Sequence, residues 1–177
     1  MFQDINQAIA KASVLHEGQK RRGIPLPYLV HPYAVASMLA FYVSDKDAIV
    51  AALMHDTVED TEYTFSDLER DFWARVKQIV GEVTEHDVAL EGRSIWQARK
   101  QGYLVGLKKA SFEGVAVSWA DKMHNLMSFA ESYDECGDDF LKSFSAPPLQ
   151  ILWFLRSCKK FIKKDYLVKC LLSIARH

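Results

Sequence analysis

Apolar residues recur every three or four positions along most of the chain, a spacing that places them on one face of an α-helix. Residues 5–15 show this spacing near the N-terminus. Residues 35–39 show it again after Pro32, and proline suits the first turn of a helix. The pattern therefore predicts two helices in the first 40 residues.

The segment between these helices, residues 18–29, has a different composition. Its glycines and prolines disfavour a helix. Its positive charge comes from three consecutive residues, Lys20, Arg21 and Arg22. We expect a basic loop that leads into the helix containing His31.

Polar residues that cap helices mark the start of two more elements. Asp45 or Asp47 can cap a helix that continues to residue 58. Thr64 and Asp67 form the pattern of a capping box, in which each side chain binds the backbone N–H of the other residue. This second helix is predicted to continue to residue 79.

Helical spacing returns at residues 94–107, after a polar segment at 83–93 that could be a mobile lid. Residues 115–120 are apolar and partly β-branched, which would also suit a short buried strand. The run continues to residue 126 without a breaker, so a helix is the better prediction. With no internal repeat and no domain linker, we predict an all-α fold with one domain at residues 1–177.

Composition narrows the possible partners. The chain has 177 residues, of which 49% are hydrophobic and 25% charged, so it can bury a core and remain soluble. A net charge of -1 gives no overall attraction to nucleic acid or to an anionic membrane. An anionic ligand must therefore be attracted by a local cluster of Lys and Arg. We expect a pocket for a small molecule, with no nucleic-acid or membrane partner; the oligomeric state stays open.

Cysteines and apolar runs bear on location. The three cysteines are an odd number and share no CxxC spacing, which is typical of a reducing cytosol. The longest apolar run, residues 48–54, is too short to span a bilayer. We expect a cytoplasmic protein that is neither exported nor embedded in a membrane.

A polar cluster directly follows that apolar run. His55 and Asp56 come first, and Glu59 and Asp60 follow one helical turn later. Burying such groups costs free energy, and a bound cation is the simplest compensation. A cation with open positions for water can lower the pKa of that water and polarise a phosphoryl oxygen.

Two distant residues complete a metal-binding order of the form H…HD…D, namely His31 and Asp121. This order describes a hydrolase with one divalent metal ion. Asp121 lies 65 positions beyond Asp56, so only folding can bring it to the metal, and spacing alone would not select it.

Four motifs of the chain resemble those of the HD superfamily of metal-dependent phosphohydrolases. They are HEGQKRR at 16–22, PYLVHP at 27–32, HDTVEDT at 55–61 and WADKMHNL at 119–126. Within the superfamily, the chain is similar to the small alarmone pyrophosphohydrolases and to the hydrolase domain of the RelA/SpoT type. The similarity extends from about residue 8 to about residue 161.

The resemblance implies an HD-type helical fold and the hydrolysis of the 3′-pyrophosphate of guanosine tetra- or pentaphosphate. It also implies one manganese ion, Mn²⁺, as the cofactor. The implied metal ligands are His31, His55, Asp56 and Asp121.

The resemblance also implies roles for residues around the metal. Glu59 and Asp60 would activate or position the attacking water. Arg21 and Arg22 take the place of the family's Arg-Lys pair, near the base and phosphates, and Asn125 would help to hold the nucleotide. The loop before Pro27-Tyr28 is one residue longer than the commonest family form, which bears on the contact with the nucleobase.

Two other functions stay open on sequence grounds. The same metal chemistry could act on an adenine alarmone, a nucleoside monophosphate or another phosphoester, because selectivity lies in loops. Alternatively, the chain could be a non-catalytic regulator that binds a nucleotide, although the intact pair Glu59 and Asp60 argues against this.

Other conspicuous residues have structural explanations. His16 and His124 are more typical of packed histidines, or of histidines that support a ligand, than of ligands themselves. Arg99 and Lys100 are weaker candidates for phosphate contact than the basic loop. Trp96 has a helical spacing that core packing explains.

Overall fold

The computed structural model describes residues 2–22, 24–85, 94–144 and 146–160. Within these ranges the chain is helical and forms no β-strand beyond one isolated bridge, so the all-α prediction is confirmed. In chain order the helices are α1 (Phe2–Leu15), α2 (Val30–Ala40), α3 (Lys46–Met54), α4 (Thr57–Asp60), α5 (Phe65–Val83), α6 (Ser94–Leu107), α7 (Phe112–Cys136), α8 (Asp138–Leu141) and α9 (Pro148–Lys159).

The predicted caps explain where two helices begin. Asp45 caps α3, since its Oδ1 accepts a hydrogen bond from the Ala48 N–H at 2.9 Å. The capping box at the start of α5 forms as predicted. Asp67 N–H donates to Thr64 Oγ1 at 3.2 Å, and Thr64 N–H donates to Asp67 Oδ2 at 3.1 Å.

The helix predicted to continue to residue 58 is interrupted, which corrects the sequence prediction. α3 ends at Met54, and a turn precedes the short helix α4. Two side chains bond to carbonyls of the last turn of α3: His55 Nδ1 to Ala52 O at 2.8 Å, and Thr57 Oγ1 to Met54 O at 2.7 Å. Asp60 N–H still donates to Asp56 O at 2.9 Å, so these two residues remain one turn apart.

Two long helices extend beyond their predicted bounds. α5 continues to Val83, with non-helical backbone at Trp73 (φ 65°, ψ 166°). α7 begins after Ser111, whose Oγ accepts a hydrogen bond from the Gly114 N–H at 3.1 Å. The apolar run at 115–120 lies inside α7 and is helical, as predicted.

The main core surrounds α3, which is buried from Ala48 to Met54. The four helices α1, α2, α5 and α7 pack against it. A second, smaller apolar cluster joins α6, α7 and α9 through Tyr103, Val115 and Phe154. The C-terminal end of α3 therefore lies in the interior of the molecule, between α2 and α7.

The basic segment between α1 and α2 forms a loop, as predicted. Its two sides are joined by the backbone bonds Arg21 N–H to Leu26 O and Tyr28 N–H to Gln19 O, both 2.9 Å long. Across the described ranges, none of the helices has both the length and the apolar composition needed to cross a membrane.

Candidate active site

Four side chains predicted as metal ligands lie together where α2, the end of α3 and α7 meet. His31 Nε2 is 3.2 Å from Asp121 Oδ1 and 3.4 Å from Asp56 Oδ2. His55 Nε2 is 3.1 Å from Asp56 Oδ1 and 3.9 Å from Asp121 Oδ1. The fold thus brings Asp121 next to the two histidines, although it lies 65 positions beyond Asp56 in the sequence.

The spacing of these atoms suits one metal ion. Each of His31, His55 and Asp56 offers a ligand atom within 4.8 Å of those of the other two residues. Ligands at 2.0–2.2 Å from one cation lie about 3 Å apart in tetrahedral or octahedral arrangements. Asp121 does not belong to this three-residue group, but its Oδ1 lies 3.2 Å from His31 Nε2 and 3.9 Å from His55 Nε2.

His55 provides the clearest indication that a cation belongs here. Its Nδ1 donates a hydrogen bond to Ala52 O, so Nε2 is the ring nitrogen that faces the carboxylates, where it holds either a second proton or a metal ion. That Nε2 is buried and has no hydrogen-bond partner among the described residues, although two carboxylates lie nearby. Burial lowers the pKa of His55, but Asp56 and Asp121 outweigh it and raise the pKa to about 9. Positive charge is therefore favoured between imidazole and carboxylates, and a metal cation can supply it.

His31 is held by His124 in a similar way. The two Nδ1 atoms are 2.8 Å apart, so one ring donates a hydrogen bond and the other accepts it. Burial, together with the nearby His31 and Arg21, lowers the pKa of His124 to about 4, so His124 is neutral and can accept. When His124 accepts this bond, His31 carries its proton on Nδ1 and its Nε2 faces the carboxylates.

Neighbouring residues fix the two carboxylates. Lys122 donates to Asp121 Oδ2 and Asn125 donates to Asp121 Oδ1. Burial opposes the charged form of Asp121, but Lys122 and the histidines hold its pKa well below its usual range. Tyr28 donates its hydroxyl proton to Asp56 Oδ2 at 2.5 Å.

Asn125 connects the candidate metal site to the basic loop. Its Oδ1 accepts a hydrogen bond from Arg21 Nη2 at 2.9 Å, while its Nδ2 donates to Asp121. Both ends of the Asn125 amide therefore have protein partners. Arg21 also lies over the Tyr28 ring at 5.7 Å, and Arg22 lies over the Phe144 ring at 5.4 Å.

Glu59 and Asp60 lie beside the four-residue cluster and are exposed at its edge. Glu59 Oε1 accepts a hydrogen bond from the Glu85 N–H at 2.6 Å. Although Glu59 as a whole residue is exposed, neighbouring protein partly desolvates its carboxylate and, with the charges of Asp56 and Glu85, raises the pKa of Glu59 to about 7. The same loss of water, with Asp56 nearby, raises the pKa of Asp60.

A cavity of about 760 Å³ opens next to the cluster, with Tyr28, Asp60, Lys122 and Asn125 in its wall. This volume is in the range of small-molecule sites. Among the described lining residues Asp60 is the acid, while the basic residues are Lys20, Arg21, Arg22, Lys100 and Lys122. The rest of the lining is largely apolar and aromatic, with Phe129, Phe140, Phe144, Ile151, Phe154 and Leu155. The cavity therefore suits an anion that carries a flat apolar group.

Sequence reasoning missed three residues that support this site. Lys122 directly follows Asp121, so the motif itself contained a signal for it. Tyr28 belongs to the Pro-Tyr motif, but the motif did not indicate a contact with Asp56. No sequence pattern indicated a role for Glu85 in the site. Of the segment predicted as a possible lid, residues 86–93 lie outside the described ranges.

Comparisons with known proteins identify the family of the chain. The model of the family described as "HD domain" matches residues 8–144. The chain is 36% identical over 125 residues to a GTP pyrophosphokinase of Streptomyces coelicolor, covering 71% of this chain and 14% of that protein. It is 37% identical over 113 residues to a guanosine-3′,5′-bis(diphosphate) 3′-pyrophosphohydrolase of Haemophilus influenzae, covering 63% of this chain and 16% of that protein. The chain thus spans less than a fifth of the length of these relatives.

A solved structure shares the fold over nearly its whole length. It belongs to a metazoan ortholog of SpoT described as hydrolysing ppGpp, and it superimposes with a TM-score of 0.65 at 24% sequence identity. The alignment covers 92% of this chain and 95% of that one. At this identity the likeness establishes the helical architecture.

Proposed function

Since the chain belongs to the HD domain family, we propose that it is a metal-dependent phosphohydrolase that removes the 3′-pyrophosphate of guanosine tetra- and pentaphosphate. The observation that carries the proposal is the buried His55 Nε2, which has no hydrogen-bond partner in the part of the chain that the structure describes and lies among His31, Asp56 and Asp121. The adjoining cationic cavity supports a phosphorylated substrate. The similarity to a 3′-pyrophosphohydrolase supports the particular bond that is cleaved.

We propose Mn²⁺ as the cation, held by His31, His55, Asp56 and Asp121. Imidazole and carboxylate donors suit a divalent first-row metal. When bound, such a cation polarises a phosphoryl oxygen and lowers the pKa of nearby water.

The carboxylates beside the ligands carry the proton transfer. Glu59, whose pKa is raised to about 7, accepts a proton from the attacking water. The water oxygen bonds to the phosphorus attached to the ribose 3′-oxygen, and the bond between that phosphorus and the 3′-oxygen breaks. The 3′-oxygen takes up a proton, so that the products are pyrophosphate and a nucleotide with a free 3′-hydroxyl. Asp60 helps to position the water.

The basic loop and α7 bind the rest of the substrate. Arg21 and Arg22 lie in the cavity wall, where their guanidinium groups can pair with phosphate oxygens. Asn125 holds Arg21 in place through its Oδ1. We also propose a cytoplasmic location, for the reason that the odd number of cysteines gives; within the described ranges Cys136 and Cys158 form no disulfide.

The test is turnover of guanosine tetraphosphate by the purified protein with Mn²⁺, followed by chromatography of the nucleotide and an assay for pyrophosphate. We expect equal amounts of pyrophosphate and guanosine diphosphate, and loss of activity in Asp56→Ala. Asp134→Ala, which changes an exposed aspartate of α7, should keep the activity.

A substrate panel separates the alternatives. Release of inorganic phosphate from nucleoside monophosphates, or a preference for the adenine alarmone, would move the proposal to another substrate. A protein that binds Mn²⁺ and nucleotide but hydrolyses no 3′-pyrophosphorylated nucleotide would contradict it.

A further inference from the structure

Two lysines from different helices lie against one aromatic ring in the cavity wall. Lys100 Nζ of α6 is 4.7 Å from the centre of the Phe154 ring of α9, and Lys122 Nζ of α7 is 5.7 Å from it. Lys100 also lies 5.6 Å from the Trp96 ring, and Lys122 lies 4.8 Å from the Tyr103 ring. Such contacts attract a cation to the ring face.

The rings restrict where the two ammonium groups can go. A free lysine side chain loses about 1.5–2 kcal/mol of rotamer freedom when it is ordered. Here much of that ordering is complete before any ligand binds, because the Lys100 and Lys122 side chains are only 19% and 17% exposed. Ordered cations bind an anion more tightly than mobile ones.

The charges around the lysines leave positive charge for a ligand. Lys100 donates to Glu85 Oε1, and Arg99 Nη2 is 3.5 Å from Glu85 Oε2, so one carboxylate faces two cations. Lys122 donates to Asp121, a carboxylate that also faces two imidazoles. An ammonium group has three N–H donors, and in the described ranges each lysine has one carboxylate partner.

The lysines also adjoin the groups that carry out the proposed reaction. Lys122 contacts Asp121, a proposed metal ligand. Lys100 contacts Glu85, whose backbone N–H binds Glu59, the proposed proton acceptor. The attacking water must reach both the cation and Glu59, so the phosphorus that it attacks lies next to this region, which the two lysines adjoin.

We propose that Lys100 and Lys122, ordered by Phe154, form the subsite that binds the pyrophosphoryl group of the substrate. The inference rests on the proposed function for its substrate. It adds residues of α6 and α9 to a site otherwise built from α2, the end of α3, α4, α7 and the basic loop. After hydrolysis the same subsite holds the product, because the pyrophosphoryl group leaves the enzyme as pyrophosphate. Inorganic pyrophosphate is therefore a direct probe of this subsite.

The experiment is calorimetric titration of inorganic pyrophosphate into the Mn²⁺-loaded full chain. Lys100 is the better position to change, since it does not contact a proposed metal ligand. Lys100→Met keeps the length and the apolar stem but removes the charge. We expect it to raise the Kd of pyrophosphate about 10- to 100-fold, the usual effect of losing a hydrogen bond to a charged group. Mn²⁺ affinity, titrated separately, should not change.

Matched variants make the result specific. Lys109→Met changes an exposed lysine outside the cavity and should bind pyrophosphate like the wild type. Lys100→Arg keeps the positive charge and should restore most of the affinity. If Lys100→Met does not fold, Lys100→Gln and Lys100→Arg provide the same comparison of neutral and charged side chains.

Turnover of guanosine tetraphosphate by the wild type is measured in parallel, to separate this inference from the proposed function. Turnover together with equal pyrophosphate binding by wild type, Lys100→Met and Lys100→Gln would overturn the lysine subsite alone. Pyrophosphate binding that depends on Lys100, without any turnover, would support the subsite and contradict the proposed function. Absence of pyrophosphate binding by the wild type would overturn the subsite.

Discussion

The carboxylates of the candidate site have different pKa values because different charged groups lie around them. Asp56 and Asp121 are surrounded by histidines and a lysine, which hold their pKa values below the usual range despite burial. Glu59 has lost water and faces other carboxylates, so its pKa is raised. Permanently charged acids suit metal ligation, and an acid that titrates near neutral pH suits proton transfer.

At the residue scale we predict that Glu59→Gln lowers kcat about 10²- to 10⁴-fold, the usual contribution of a general base. The pH dependence follows from the sign of the shift. Below its pKa of about 7, Glu59 is protonated and cannot accept a proton, so the kcat/KM of the wild type should rise with pH through the acid range. A bound divalent cation favours the charged form, which puts the inflection at or below about 7.

The measurement is a pH–rate profile of both proteins with Mn²⁺ at a fixed free concentration. Glu62→Gln, which changes an exposed neighbour, should keep the wild-type profile. Equal rates for wild type and Glu59→Gln at pH 8 would exclude Glu59 as the base.

At the scale of the elements, the site depends on how α7 is placed against α5. Gly114, in the first turn of α7, lies against Glu82 of α5, and a Cβ at Gly114 would be 2.3 Å from Glu82 Oε2 and 3.2 Å from Glu82 Cβ. The same Glu82 oxygen accepts hydrogen bonds from Ser111 N–H at 3.0 Å and Ser111 Oγ–H at 2.6 Å. The start of α7, the helix that carries Asp121, is therefore positioned by the Glu82 carboxylate and by the absence of a side chain at Gly114.

We predict that Gly114→Ala lowers the free energy of unfolding by about 1–3 kcal/mol, because Glu82 must move and its bonds to Ser111 are lost. Gly102→Ala in α6 is the matched control. The added Cβ meets no atom of the described residues within 4 Å, so the higher helix propensity of alanine should raise the free energy of unfolding by up to about 1 kcal/mol. Urea unfolding measures both values. If both variants were equally stabilised, the contact with Glu82 would not determine how α7 begins.

For the whole molecule, the proposed metal would connect three helices that are far apart in the chain. His31 lies on α2, His55 and Asp56 follow α3, and Asp121 lies on α7. A ligand that binds only the folded state stabilises it according to its concentration relative to its Kd. The metal site should therefore be visible in the stability of the entire fold.

We predict that Mn²⁺ at 100 times its Kd stabilises the chelator-treated protein by about 2.7 kcal/mol and raises its Tm by about 5–10 °C. Asp121→Asn should lose this shift, while Asp134→Asn, at an exposed site, should keep it. Thermal unfolding followed by circular dichroism, with Mn²⁺ or EDTA, measures the difference. A full Tm shift in Asp121→Asn would mean that the ion binds elsewhere.

Local physical chemistry determined much of this protein. Apolar spacing and capping residues such as Asp45 and Thr64 predicted the helices, because backbone hydrogen bonds and side-chain caps act over a few residues. The pair His55 and Asp56 was conspicuous for the same reason, since polar groups beside a buried run need a partner. The bounds of α3 were less predictable, because the side chains of His55 and Thr57 compete for its last carbonyls.

Contacts between distant segments were decided only by the tertiary structure. Nothing local distinguishes Asp121 from other acids on helices, and its approach to His31 depends on how α7 packs against α2. The bonds of Glu85 to Glu59 and to Lys100 likewise join three separate segments. The packing of the helices results from the summed burial of many apolar side chains along the whole chain. The residue types therefore indicated the chemistry of the site, but the geometry of the site could not be predicted from them.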